Sequence, residues 1–434
     1  MNEDFHVINK TTSFCPDCCL THPARYEQKG NAVYFIVDCP QKKFTQLVST
    51  DAELFRKIRA KANYDFNEPA DFIGYRHINL IEITNDCNFQ CKFCFCSSNK
   101  SGPKTYKPLD EIIEIGKTIK KERGYEVTLT GGEPTLHRQL LRIIRGLKKL
   151  GLMVNMASNG YLLAKDPGLA RALKKNGLSG IGIQLDSIDT ATHKKHRNNT
   201  FIEEKIEAFK NCQKAGLRIS AVITVTRYNL KELGLLIQFC LQFRPHLNMV
   251  ILQPYFPTGY TEIEEDKIVN REETLRSLES YPGLSSVLSS EFFWPIPRFR
   301  PLSMEIHPDC GVMTAILIEN GGLYPLDDFV DRSLLYKRLA SYTRTGLPGW
   351  ISYLTILYLL FTCAYKGKRA KLLRSIHGFI RSKGDDCLVL IEVEQFMYSR
   401  FQDEQRAIRC GTAYRNKDGI HQQGCIANRI KEYS

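Results

Sequence analysis

Cys87, Cys91 and Cys94 stand in the stretch "CNFQCKFCFC", and Cys96 follows at once. Thiolates are soft ligands that suit iron–sulfur clusters and zinc. Three on one short loop can hold three irons of a cubane cluster and leave the fourth iron open to another ligand. A structural zinc site takes four protein ligands, and Cys96 is the residue that would complete one. A second set, Cys15, Cys18, Cys19 and Cys39, flanks the hairpin pattern "YEQKGNAVYFIV". A Cys-x-x-Cys turn, a hairpin and a further cysteine have the form of a metal knuckle, a unit too small to be held by burial alone. Cys310, Cys363, Cys387, Cys410 and Cys425 are dispersed along the later part of the chain. Cys212 and Cys240 fall in amphipathic stretches, "AFKNCQKAG" and "LIQFCLQF", where a buried free thiol is the expected role. His137 and His307 lie near these motifs and are expected as structural hydrogen-bond partners. Asp327 and Asp328 face either substrate or a solvated turn.

These side chains need a scaffold, and the chain supplies a repeating one. From about residue 77 to 255 six apolar runs recur: "INLIEIT", "YEVTLTG", "LMVNMAS", "GIGIQLD", "RISAVITVT" and "LNMVILQ". Amphipathic stretches such as "LDEIIEIGKTIKKE" and "RQLLRIIRGLKKL" separate them. Continuous apolar strands alternating with helices imply a parallel sheet covered by helices. Six such units imply a partial, open barrel with its ligands at the C-terminal ends of the strands. The cysteine loop follows the first run, and "TGGEPTLH", residues 130–137, follows the second. The glycines there permit close backbone approach, with Thr130 and Glu133 as polar contacts. After about residue 255 "YPGLSS", "FFWPIPRFRP" and "LPGW" end the rhythm, and "TAILIENGGLYPLDD" reads as a hairpin with a Gly-Gly turn. The expected organisation is a cysteine-rich metal module over 1–60, a barrel over 75–260 and a distinct C-terminal region over 295–434.

With 43% hydrophobic and 25% charged residues, the 434-residue chain has the make-up of a soluble globular protein rather than a disordered one. Its formal charge of +13 favours acidic partners. The basic residues are scattered and no recognition-helix motif occurs, so no specific nucleic-acid binding is expected. The opening "MNEDFHVINKTTSFC" holds early acids and no apolar h-region, so the expectation is no signal peptide, reduced thiols and a cytoplasmic protein. One run, "WISYLTILYLLFTCAY" (350–365), is nearly all apolar or aromatic and leads into "KGKRAKLLR". It is shorter than the about 20 residues a membrane span takes. Two readings stand: a buried core helix, or a helix in peripheral contact with a membrane, its basic neighbours facing lipid headgroups.

The pair "CNFQCKFC" and "GGEP" resembles the radical S-adenosylmethionine (SAM) superfamily. The resemblance implies an α/β fold, a partial (β/α)6 radical SAM barrel between the cysteine-rich N-terminal metal module and a C-terminal auxiliary-cluster region. It implies a [4Fe–4S] cluster on Cys87, Cys91 and Cys94, with SAM on the open iron and Phe93 at the family's aromatic position. Gly131, Gly132, Glu133 and Pro134 would hold the amino group of SAM. Ser158 and Asn159, with Gln184 and Asp186, would meet its ribose and carboxylate. The segments "CPDC…VDCP", "HPDC…LIENGGLYPLDDFVD" and "RCGTAYRNKDGIHQQGC" are similar to one branch of the superfamily. That branch includes the archaeal tetraether lipid synthase and pterin-methylating enzymes. It implies auxiliary iron–sulfur clusters on Cys310, Cys410 and Cys425, with Cys363 and Cys387 as further candidates. It also implies a mononuclear rubredoxin-like iron on Cys15, Cys18 and Cys39, with Cys19 as a candidate fourth ligand. The chain departs from the branch after Cys39, where "QKK" replaces an acidic–His–Gly stretch. The activity so implied is C–H activation for carbon–carbon bond formation on a lipid chain, fed by an electron donor such as ferredoxin or flavodoxin. Methylation of a pterin or another small heterocycle, and peptide modification, are the alternatives within this chemistry. A zinc-stabilised module that binds nucleic acid is the alternative outside it.

Overall fold

The computed structural model describes residues 5–15, 18–66, 78–98, 102–257, 259–299, 306–342, 349–384, 386–397, 402–416 and 421–425. At the N-terminus β1 (Phe5–Cys15), β2 (Leu20–Lys29), β3 (Ala32–Asp38) and β4 (Lys43–Ser49) form an antiparallel meander. β2 and β3 are the hairpin of the sequence pattern. Lys29 pairs with Ala32 across a Gly30–Asn31 turn, and the +57° φ of Gly30 is one that glycine adopts without strain. Alternate residues Tyr26, Val33, Phe35 and Val37 bury one face against Phe55 of the helix Ala52–Ala60. The Asp51 side chain caps that helix by accepting from the Leu54 N–H. Cys15 and Cys39 belong to the same small core.

Each of the six apolar runs becomes a strand of one sheet. β5 (Ile78–Thr84) leads into the cysteine loop, which contains the two-residue β6 (Phe93–Cys94). Next come β7 (Glu126–Gly131), β8 (Met153–Ser158), β9 (Leu178–Gln184), β10 (Arg218–Val225) and β11 (Leu247–Pro254). The order β5-β7-β8-β9-β10-β11 is parallel throughout. Side chains alternate across a strand. One set, including Ile81, Leu129, Met156, Ile183, Ile223 and Leu252, packs beneath the apolar faces of the helices Leu140–Lys149, Ile202–Lys214 and Leu233–Leu241. Each such side chain fully buried is worth about 1.5–3 kcal/mol. The other set lines the concave face, whose C-terminal end carries the cysteine loop and the Gly-Gly-Glu-Pro loop.

Most described strands beyond the barrel extend this sheet on both edges, while two short ones pair elsewhere. β12 (Tyr260–Thr261) pairs with β6 and braces the cysteine loop. β13 (Trp294–Pro295), β14 (Gly311–Glu319), β15 (Gly322–Pro325) and β16 (Cys387–Glu394) continue the sheet past β11. β16 runs parallel to β11 and so serves as a seventh strand of the barrel. β17 (Gln402–Asp403) returns to pair with β1, while β18 (Thr412–Arg415), followed by β19 (His421–Gln423), lies parallel to β5 at the opposite edge. The β14–β15 hairpin turns on Asn320–Gly321, both with positive φ (48° and 78°), which is the signature of a type I′ turn. The turn pair is thus Asn-Gly and not the expected Gly-Gly, because Gly322 already pairs with Glu319.

The apolar run forms the helix Gly349–Cys363, one side of which is packed in a core. Leu359 and Cys363 enter a second core with Phe329, Leu335 and Leu372, whereas Leu354, Tyr358 and Phe361 are exposed. Among the described residues no helix is long and apolar enough to cross a membrane.

Candidate functional site

The three loop thiols meet at the C-terminal end of β5. Burial pushes the Cys87 thiol up to about 12, and the Glu133 carboxylate and the Cys91 and Cys94 thiols act in the same direction. Thiolates are soft ligands, and three of them on one short loop are a donor set that fits an iron–sulfur cluster with one open position. The Phe89 N–H approaches Cys87 Sγ at 3.5 Å and the Ser98 N–H approaches Cys94 Sγ at 3.4 Å. Phe93 is buried, its ring 5.1 Å from that of Tyr255 and beneath the Arg197 guanidinium at 4.3 Å. Cys96 lies against Tyr414 of β18.

The glycines of the "GGEP" loop serve a backbone contact within the protein. A Cβ on Gly131 would overlap the Thr84 carbonyl, and one on Gly132 the Asp86 carbonyl. The close approach lets the Gly132 N–H donate to Thr84 O (2.7 Å) and the Glu133 N–H to Asp86 O (2.8 Å). Two loops from neighbouring strands are thereby fastened together. Pro134 opens a short 3₁₀ turn. The Glu133 side chain is 1% exposed and fully engaged. Its Oε1 accepts from Thr135 N (3.1 Å), Thr135 Oγ1 (2.6 Å) and Ser158 Oγ (2.8 Å), and its Oε2 from the Asn159 N–H (2.7 Å). Glu133 therefore holds the Ser158–Asn159 turn, and Asn159 Nδ2 in turn donates to Asn88 Oδ1 (2.7 Å) inside the cysteine loop.

At the ends of β9 and β10 the expected polar contacts are spent on positioning cations. Asp186 is fully buried. Burial pushes its carboxyl up, but the Arg197 guanidinium and His196 together hold it well below the usual range. Gln184 Nε2 donates to Asp186, and Gln184 Oε1 accepts from Lys205 Nζ (2.9 Å). Lys205 is buried and also donates to the carbonyls of Asn159 (3.1 Å) and Gln184 (3.0 Å). Burial lowers its ammonium to about 8. Arg197 donates to Asp186 and to Thr224 Oγ1 (3.0 Å), and reaches the Cys91 thiol. Two buried cations thus stand beside the cysteine loop, and the sequence analysis named neither. Both occur in ordinary amphipathic helical stretches, "HKKHRNN" and "FIEEKIEAF", where nothing separates them from surface charges.

The remaining cysteines sort into three environments. At the N-terminus the ligand atoms of Cys15, Cys18, His22 and Cys39 all lie within 4.8 Å of one another, with Cys18 Sγ 2.9 Å from His22 Nε2. Three thiols and an imidazole are a tetrahedral donor set. Cys19, the candidate fourth ligand, is instead exposed with φ at +57° and stands outside the group. The available signal for His22 was a Cys-x3-His spacing from Cys18 into the start of β2. In the C-terminal region Cys310, Cys410 and Cys425 sit close enough for each charge to affect the others, and burial pushes Cys425 up to about 12. Arg406 Nε lies 3.5 Å from Cys310 Sγ, and Arg59 clamps the adjacent Asp309 through contacts of 2.9 and 2.6 Å. Cys363 and Cys387 do not join this trio. Cys363 is packed in the second apolar core, and Cys387 begins β16, at the far end of that strand from the ligand-bearing edge. Cys212 and Cys240 are fully buried among apolar side chains. His137 bonds the Lys107 carbonyl at 3.0 Å and accepts from the Gln139 N–H, and His307 accepts from the Asp309 N–H, so both are structural. Asp327 pairs with Arg332 at 3.3 Å, and Asp328 is exposed.

Residues 81–240 match the radical SAM superfamily. A 7,8-dihydro-6-hydroxymethylpterin dimethyltransferase of Methanocaldococcus jannaschii is 26% identical over 361 residues, which cover 74% of this chain and 71% of that protein. A probable GTP 3′,8-cyclase of Sulfurisphaera tokodaii is 34% identical over 177 residues, covering 40% of this chain and 55% of the cyclase. The corresponding enzyme of Saccharolobus solfataricus is 34% identical over 203 residues, covering 46% of this chain and 63% of its own length. The chain thus spans less than two thirds of either cyclase. Among solved structures, Streptococcus suis SuiB bound to S-adenosylmethionine has a TM-score of 0.39 at 17% identity, over 46% of this chain and 44% of that one. That likeness is too partial to bear on function.

Proposed function

We propose that the chain is a radical SAM enzyme that uses Cys87, Cys91 and Cys94 to activate a substrate C–H bond, on the support of the family match over residues 81–240. The family employs a [4Fe–4S] cluster and SAM. Cys87, Cys91 and Cys94 would hold such a cluster, which when bound with SAM would supply one-electron reductive cleavage of SAM to methionine and a hydrogen-abstracting 5′-deoxyadenosyl radical. The observation that carries the reading is the placement of two buried cations, Arg197 and Lys205, beside the three-cysteine loop at the C-terminal end of the sheet. The chain's own residues supply binding and orientation. Arg197 and Lys205 present positive charge to the carboxylate of SAM. Glu133 keeps the Ser158–Asn159 turn against the cysteine loop. Phe93 and Tyr255 wall the site with apolar surface, which keeps water from a reactive carbon centre.

The N-terminal group of Cys15, Cys18, His22 and Cys39 holds one metal ion, and Cys310, Cys410 and Cys425 hold an auxiliary iron–sulfur cluster. A small nitrogen heterocycle is the substrate class we favour. Its support is the pterin-modifying relative, aligned over 74% of this chain, together with the carboxyls of Glu392 and Glu394 on β16. The second reading, carbon–carbon bond formation on a lipid chain with peripheral membrane contact, is supported by a different surface. Leu354, Tyr358, Phe361 and Tyr365 form an exposed stripe, and Arg369 stands 5.1 Å over the Phe361 ring. Mass spectrometry of products separates the two. Anaerobic protein reduced with dithionite and given SAM should add mass to a dihydropterin in CH2 steps, whereas lipid coupling removes hydrogens. A product only from lipid would reverse the preference, and no product from either would remove both substrate classes.

A further inference from the structure

Glu392 and Glu394 occupy the concave face of β16 near its C-terminal end, the end that bears the cysteine loop. Their neighbours Ile391 and Val393 point the other way, into the core beneath the helices. Successive residues of a strand face opposite sides, so both carboxyls face the interior of the curved sheet. Glu392 is 8% exposed, and it accepts no hydrogen bond from any described residue. Glu394 accepts from Gln253 Nε2 at 2.8 Å. Across the ladder, β14 pairs Met313 with Glu392 and places Gly311 opposite Glu394. A Cβ on Gly311 would stand 3.6 Å from Glu392 Oε1 and 3.0 Å from Ile296 Cδ1, so the glycine lies between the carboxyl and an apolar side chain.

The pair is also connected to the radical site. Gln253 is in register with Thr224 on the next strand, and Thr224 Oγ1 accepts from Arg197, which reaches Cys91. Neighbouring strands lie about 4.8 Å apart. A molecule held at β16 therefore stands about two strand spacings from the residue that links to the cysteine loop. A largely buried carboxyl is costly to ionise, and burial together with the mutual repulsion of the pair raises the proton affinity of Glu392. No described side chain offsets that cost, whereas a ligand with N–H groups would.

We propose that Glu392, flanked by Glu394 and Gln253, anchors the substrate by accepting hydrogen bonds from a planar N–H and NH2 edge, the edge an amino-lactam ring presents. The inference rests on the radical reading of the site and names its substrate class. Two parallel N–H···O bonds to one carboxylate fix a ring's orientation as well as its position. They also discriminate steeply, because an analogue lacking a donor leaves the buried acceptor unpaired.

The test uses the full chain with its clusters reconstituted anaerobically. Isothermal titration compares 6-hydroxymethyl-7,8-dihydropterin with the corresponding dihydrolumazine, in which a carbonyl replaces the 2-amino group. The wild-type protein should bind the pterin at least tenfold more tightly, a difference of about 1.4 kcal/mol. Glu392→Gln presents an amide that can donate to the added carbonyl, and should erase or invert the preference. Equal affinities, binding of neither probe, or a preference that survives Glu392→Gln would overturn the proposal. The wild-type comparison decides the matter by itself if the variant fails to fold. Release of 5′-deoxyadenosine by wild-type protein without pterin reports separately on the radical reading, so lost discrimination with intact SAM cleavage removes the anchor alone.

Discussion

Glu133→Gln tests how the site is assembled, because the substitution preserves shape and removes one acceptor. The carboxylate accepts four hydrogen bonds, three on Oε1 and one on Oε2 from the Asn159 N–H at 2.7 Å. With the amide oxygen kept toward Thr135 and Ser158, the new NH2 group faces the Asn159 N–H, donor against donor. A hydrogen bond to a charged group is worth about 1.5–3 kcal/mol, and a buried unmet donor costs about 1–3 kcal/mol more. A net loss of about 3 kcal/mol falls on the Ser158–Asn159 turn, which bonds to the cysteine loop through Asn88 and to Lys205 through the Asn159 carbonyl. If that turn orders the SAM site, the loss corresponds to a rise of about a hundredfold in KM for SAM. The assay is the initial rate of 5′-deoxyadenosine formation against SAM concentration, with iron content and thermal midpoint measured on the same preparations. A Glu133→Gln protein that retains its iron and keeps KM within twofold of wild type would refute the positioning role.

Other consequences are equally specific. Arg59→Ala strands the Asp309 carboxylate, 2% exposed, and should cost about 3–5 kcal/mol in urea unfolding; Arg59→Lys should recover part of this, lacking the bidentate geometry. His22→Ala should lose one metal equivalent per chain by mass-spectrometric metal analysis while Cys19→Ser loses none, and the reverse pattern would restore Cys19 as the ligand. Burial raises the Glu126 carboxyl to about 7 against an Asn155 partner alone. A carboxyl raised by folding stabilises the fold fully below its unfolded value, near 4.5, and loses that contribution as pH climbs through about 7. Since the side chain keeps some solvent contact, Glu126→Gln should gain about 1–2 kcal/mol at pH 8 and nothing at pH 4.5, as read by thermal midpoints at the two pH values.

The barrel was legible because its signal is long-range periodicity: six apolar runs at helical separations leave few alternatives to a parallel sheet. β16 escaped notice although "CLVLIEVE" is a good strand, because it enters the sheet after an interval of helices and so breaks the repeat. The cysteine loop was legible from spacing, since its ligands are neighbours in the chain. His22 is close in sequence too, but its role depends on β2 folding back over Cys15 and Cys39. Arg197 and Lys205 become functional only because Asp186 and Gln184 gather them under the loop, a convergence of helices and strands that no local pattern announces. The four partners of Glu133 were hidden for the same reason, since Ser158 and Asn159 reach it from the neighbouring strand. Cys363 and Cys387 show the converse, thiols that invite a metal reading by count and are claimed by apolar packing.

The most direct measurement is the formation of 5′-deoxyadenosine and methionine from SAM by anaerobic, dithionite-reduced protein, compared with the variant Cys87→Ser/Cys91→Ser/Cys94→Ser. The account predicts equal amounts of both products from the wild type and neither from the triple variant, with the N-terminal metal retained in both. Cleavage that survives loss of the three thiols, or a wild-type protein replete in iron and sulfide that cleaves no SAM, would contradict it.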